Sequence, residues 1–172
     1  MLPPESNRPT MRTMTTSQPA LNAADVEGQR GTPFPSPFAD RMRGREKRRL
    51  GDAFGIAQFG VNQVKLEPGA ESALRHWHTL EDEIIYVLSG QLSLITDDGE
   101  QVLRSGSVIG FPAGSSNAHH LVNRSSEAAE FLEIGSRIEA DNAYYPDDDI
   151  AWVEVDGKWA LTHKDGTPYQ GA

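Results

Sequence analysis

From residue 54 to about residue 137 the chain alternates apolar and polar positions in short runs, each stopped by a turn signal. The run 59–66 (FGVNQVKL) ends at Pro68-Gly69, and the run 83–88 ends at Ser89-Gly90. The run 91–96 leads into Asp98-Gly99, which reads as a tight hairpin turn before 100–103. Residues 108–111 stop at Pro112, and 118–122 and 129–135 complete the set. A repeat of two sends successive side chains to opposite faces, as in a half-buried strand. Strands this short, closely spaced by turns, predict an all-β domain built as an antiparallel sandwich or barrel. No segment sustains a 3.6-residue repeat, so helices are expected to be minor.

The flanks read differently. Residues 1–37 are rich in Pro, Thr, Ser and Asn, which predicts an irregular, flexible N-terminal extension. Phe34 and Phe38, set among prolines, are expected to dock on the domain as an extended strap. The basic run Arg41, Arg43, Arg45, Lys47, Arg48 and Arg49 carries no interleaved aromatics, so it reads as a solvated turn or short helix rather than a nucleic-acid arm. Residues 38–172 are expected to form one domain, with a core barrel over 54–137 and a tail over 138–172. The tail holds Tyr144, Tyr145, Trp152, Trp159 and Tyr169, too much aromatic surface to leave in water. It is expected to wrap the barrel or to form a subunit interface, with residues 152–159 as a further hairpin.

Composition narrows the chemistry. The chain has no cysteine, which excludes disulfides, thiolate ligands, iron–sulfur clusters and cysteine nucleophiles. Its net charge of −9 disfavours nucleic acid and anionic membrane as partners. No apolar run approaches the length of a membrane span, and the first residues lack the apolar stretch of a secretory signal. A cytoplasmic protein acting on a small molecule is the expectation.

Five histidines remain to be explained. His76 and His78 stand at i and i+2, so on a strand both imidazoles share one face. Glu83 follows past a short turn, where a hairpin would return it beside them. His119 comes after the turn at Pro112-Ala113-Gly114, with His120 adjacent. Three neutral imidazoles and one carboxylate suit a divalent ion: Fe, Mn, Ni, Co or Cu in octahedral form, or five-coordinate Zn. Four such ligands on an octahedron leave positions open for substrate, water or dioxygen. Glu133, if it points inward, is a further carboxylate and a candidate general base.

These residues resemble the paired motifs of the cupin superfamily. The first motif is Gly, five residues, His-x-His, three or four residues, Glu, six residues, Gly. Gly69, His76, His78, Glu83 and Gly90 follow it, with six residues in place of five after Gly69. The second is Gly, five residues, Pro-x-Gly, two residues, His, three residues, Asn. Gly106, Pro112, Gly114, His119 and Asn123 follow it, with four residues before the His. The spacing to Asn123 selects His119 as the fourth ligand, and alternation turns His120, the alternative, away. The resemblance implies an antiparallel jelly-roll β-barrel with a metal held by His76, His78, Glu83 and His119 inside it, and a homodimer. The blocks 81–90, 110–114, 119–125, 131–137, 144–149 and 163–169 are similar to small single-domain bacterial cupins, some described as sugar-phosphate isomerases. An isomerase or epimerase, an iron dioxygenase and a non-catalytic binding module are the functions that this resemblance leaves open.

Overall fold

The computed structural model of the chain describes residues 20–155 and 158–169. In chain order its strands are β1 (Gly28–Arg30), β2 (Arg45–Arg49), β3 (Phe59–Leu66), β4 (Trp77–His78), β5 (Glu83–Ser89), β6 (Gln91–Thr96) and β7 (Gly99–Arg104). There follow β8 (Val108–Phe111), β9 (His120–Val122), β10 (Ala129–Ser136), β11 (Ala143–Tyr144), β12 (Ala151–Val155) and β13 (Lys158–Thr162). Two single-turn helices, α1 (Phe38–Arg41) and α2 (Leu50–Ala53), and one 3-10 turn (Ala23–Asp25) are the helical content of the described residues. None is long and apolar enough to cross a membrane.

The strands form a six-stranded sheet in the order β1-β2-β3-β10-β5-β8 and a three-stranded sheet in the order β7-β6-β9. Every pairing in both sheets is antiparallel. The alternation in β3 explains its placement: Asn62, Val64 and Leu66 are buried while Val61, Gln63 and Lys65 are half-buried. Val64, Leu66, Ile85, Val87 and Phe131 from the larger sheet meet Leu92, Leu94, Leu103 and Leu121 from the smaller in one apolar core. Phe131 is fully buried, and such a side chain contributes about 1.5–3 kcal/mol by leaving water. Between β5 and β6 the chain turns at Gly90, with φ of 77°. A Cβ there would stand 2.8 Å from the carbonyl oxygen of Ala128 and the Cα of Ala129, so only glycine fits.

Three features depart from the pattern-based expectation. The β6–β7 hairpin turns on Asp97 and Asp98, with Thr96 opposite Gly99, so Gly99 opens the returning strand rather than closing the turn. The Asp98 amide donates to Thr96 Oγ1, which stabilises that placement. The basic run contains a strand as well as a helical turn: β2 pairs with β3 and extends the large sheet ahead of residue 54. Its alternate residues Arg45 and Lys47 line an internal cavity, so the solvated reading does not hold for them.

A second apolar cluster closes one side of the molecule. Met42, Leu74, Ala143, Tyr145, Ile150 and Leu161 are buried there, with Phe34, Phe38, Trp152 and Tyr169 packed around them. Phe34 meets Tyr145 edge-on at 5.7 Å and Phe38 meets Tyr169 likewise at 5.7 Å. Strap and tail therefore cover the structure together, as the aromatic content predicts. Arg41 ties them polarly, donating to Glu71 at 2.9 Å and to Asp148 at 2.8 Å. The β12 and β13 strands pair as expected, while the turn at 156–157 lies outside the described residues.

Candidate metal centre

The segment leading into β4 alternates like a strand. Ala70, Ser72, Leu74, His76 and His78 are buried, while Arg75 and Trp77 face outward. Trp77 stacks on Tyr144 at 4.8 Å, and Arg75 holds Asp147 at 2.6 Å. This segment lies antiparallel to the stretch ending in β9. His76 N donates to His119 O at 3.1 Å, and His119 N donates to His76 O at 2.8 Å. The reciprocal pair sets the two imidazoles side by side. Their ring centroids are 5.1 Å apart, and the His78 ring stands 4.9 Å from that of His76.

Glu83, the first residue of β5, completes the group, with Oε1 3.4 Å from His119 Nε2. Ligand atoms of His76, Glu83 and His119 all lie within 4.8 Å of one another. His78 adjoins this trio through His76 but groups within 4.8 Å with Glu81 and Asp141. His120 turns the other way, its Nδ1 3.2 Å from the carbonyl of Ala73 and 3.4 Å from Glu71.

The histidines are oriented as ligands are. His76 Nδ1 donates to the Leu74 carbonyl at 2.8 Å, and His78 Nδ1 donates to Asp141 Oδ2 at 2.6 Å, an assignment of tautomer made from the partners. In each ring this leaves the Nε2 lone pair free, the arrangement in which an outer acceptor fixes a metal-ligating imidazole. Burial, then the neighbouring His78 and His119, push the His76 ring well below its ordinary value, so it is neutral. His119 Nδ1 is buried with no hydrogen-bond partner among the described residues, and its ring lies flat against Phe111 at 3.4 Å. A buried imidazole whose Nε2 faces a carboxylate, with further imidazoles beside it, fits a divalent ion.

Asp141 carries no sequence signal, since it sits in an irregular stretch of the tail. It is fully buried. Its Oδ1 accepts from Leu80 N at 2.7 Å and from Thr79 Oγ1 at 3.1 Å, while Oδ2 serves His78. Burial pushes this carboxyl up, but the His78 and Leu80 hydrogen bonds outweigh it and hold it well below the usual range.

The cluster opens into a cavity of about 410 Å³, a volume suited to a small molecule. Besides the histidines and Glu83, an ion pair faces it: Lys47 Nζ donates to Glu133 Oε1 at 2.6 Å, and Asn62 Nδ2 donates to the same oxygen at 2.9 Å. Glu133 thus points inward, the orientation a general base requires. Burial raises its carboxyl, but Lys47, Arg45 and Asn62 prevail and hold it at about 2. Burial pushes the Lys47 ammonium down despite Glu133. Lys47 and Arg45 were masked in sequence by their place in a basic run; the alternation of β2 was the signal available.

Comparison with known proteins agrees with this fold. A cupin-domain sequence profile matches residues 62–135. A sugar phosphate isomerase from a cupin superfamily of Silicibacter pomeroyi is 42% identical, with 89% of this chain and 98% of that one covered at a TM-score of 0.82. A proposed sugar phosphate isomerase from Acidithiobacillus ferrooxidans is 32% identical over 73% of this chain and 80% of that one, at a TM-score of 0.64. The polyketide cyclase RemF from Streptomyces resistomycificus shares the fold at 22% identity over 69% of this chain and 79% of that one, at a TM-score of 0.57. No curated protein sequence matches the chain. With both histidine motifs gathered between two antiparallel sheets and a nearly full-length relative at 42% identity, the chain belongs to the cupin superfamily.

Proposed function

We propose that this protein is a metal-dependent isomerase or epimerase of a small polar molecule, a sugar phosphate being the class that both similar structures are described as acting on. His76, His78, Glu83 and His119 would hold the divalent ion near the mouth of a jelly-roll barrel. When bound, the ion supplies Lewis-acid polarisation of a neighbouring pair of substrate oxygens. The observation that carries the reading is the Glu133–Lys47 pair, which faces the same cavity as the candidate ligands. Isomerisation moves a proton between adjacent carbons, and so needs a base and an acid that are not themselves ligands. The Glu133 carboxylate accepts that proton as Lys47 turns from it toward the substrate, and returns it to the next carbon. Lys47 stabilises the carboxylate and donates toward developing charge on the substrate. The partner lies within the cytoplasm in this reading, as a small molecule rather than a nucleic acid or a membrane.

Elemental analysis of natively purified protein tests the metal. The wild type is expected to carry about one divalent ion per chain, and His76→Ala to lose most of it while remaining folded by circular dichroism. A His76→Ala/His78→Ala variant with full metal content would refute the site. Bound iron with turnover that requires oxygen would replace isomerisation by oxygenation.

We propose further that the protein works as a homodimer. Ile84, Tyr86 and Val108 are exposed on the outer face of the large sheet and run to β8, its edge strand among the described residues. Apolar surface on a sheet face that ends in an open edge is suited to cover by a second copy.

A further inference from the structure

Four residues that line the cavity carry a buried side-chain atom with no partner among the described residues: His119 in the candidate metal centre, and Arg45, Asn62 and Arg137 on the wall beside it. Arg45 Nε and Arg137 Nε are buried donors, and Asn62 Oδ1 is a buried acceptor. Buried polar groups are ordinarily satisfied, so three orphans on one wall demand an explanation. The two arginines differ in their remaining bonds. Arg137 spends Nη2 on Asp52 and Nη1 on the Ile56 carbonyl, which fixes its plane and leaves Nε alone. The Arg45 side chain makes no hydrogen bond and no ion pair among the described residues. The nearby acid, Glu133, attracts Arg45 electrostatically but is already engaged by Lys47 and Asn62.

A guanidinium removed from water without an anion is strongly unfavourable. Its planar fork matches an oxyanion, and it cannot shed its charge by deprotonation. Asn62 presents the opposite need. Its Nδ2 is committed to Glu133, so Oδ1 remains to accept from a hydroxyl.

We infer that the ligand of this cavity is a hydroxylated anion whose phosphate or carboxylate end is held by Arg45 and Arg137, with a hydroxyl donating to Asn62. The inference rests on the reading of the His–Glu cluster as the reacting end of the same cavity. It adds that the molecule is anchored at a second, cationic end, and so must carry a charge. Burial pushes the Arg45 guanidinium down, as expected of a cation awaiting its counter-ion.

Calorimetric titration of the full chain with ribose 5-phosphate, ribonate, ribose and inorganic phosphate tests this. At least one of ribose 5-phosphate and ribonate is expected to bind, and ribose to bind roughly tenfold more weakly or worse. Whichever anion is tighter identifies the oxyanion. Arg45→Gln is expected to lose affinity for it by roughly tenfold or more while its metal content is unchanged. The Arg45 side chain has no hydrogen-bond partner among the described residues, and burial opposes its charge more than Glu133 supports it, so the thermal midpoint of the variant should match or exceed the wild type. The anion should raise the midpoint of the wild type alone. Unchanged affinity in Arg45→Gln, or equal binding of ribose and its anions, would overturn the inference. So would a variant less stable than the wild type without ligand, since Arg45 would then be structural. The two readings fail separately. Arg45-dependent anion binding by a protein that takes up no metal would refute the metal-dependent reaction and leave the anion subsite standing.

Discussion

At the scale of single residues, the candidate ligands could be picked out because their chemistry is scarce in the chain. His76 and His78 share a face by strand alternation, and the spacing to Asn123 separates His119 from His120. The structure shows what that asparagine does: buried Asn123 Nδ2 donates to the carbonyls of Leu66 and Glu127, both at 2.8 Å, and its Oδ1 accepts from Ser125. It locks the chain at the end of β9 and has no part in the cavity. Asp141 could not be read in advance, because an aspartate in an irregular tail looks solvated until the fold buries it. Its role gives a direct expectation. Asp141→Asn keeps an acceptor for the Leu80 amide but loses the charge that orients His78. Metal affinity should fall roughly ten- to a hundredfold with the fold intact, measured by competition with a chelator. Unchanged affinity would mean that His78 is held by other contacts.

At the scale of elements, the strands that alternate strictly between buried and half-buried positions were legible, as β3 illustrates. A strand written almost wholly in charged residues was not. In β2, REKRR offers no apolar face, and its inward positions are polar because they meet a cavity instead of the core. The ion pair from Lys47 on β2 to Glu133 on β10 spans β3, the strand that lies between them. It should leave a mark on stability. Glu133 is lowered from 4.5 to about 2 in the folded chain. A depressed carboxyl stabilises the fold fully above its ordinary value and loses that contribution as the pH falls toward about 2. Glu133→Gln should therefore be less stable than the wild type at neutral pH, and the gap should close near pH 2. Urea unfolding across roughly pH 7 to 2 measures it, and a gap independent of pH would remove the linkage.

At the scale of the whole molecule, the all-β class was legible from turn spacing. The docking of strap and tail followed from their aromatic content, although neither has a strand repeat that specifies where it sits. Assembly belongs to this scale. Light scattering is expected to give twice the 18.9 kDa of one chain, and Ile84→Lys combined with Tyr86→Lys to return the mass to one chain. A wild-type mass of one chain would dismiss the homodimer. Phe34 of the strap and Tyr145 of the tail both line the cavity, and the Tyr145 ring stacks on His76 at 5.8 Å. The vestibule is thus partly furnished by segments that belong to neither sheet. Changes there would redraw which molecules gain entry while leaving the reactive groups and their β scaffolding untouched, so relatives with the same cluster could part company in diet without any change in chemistry.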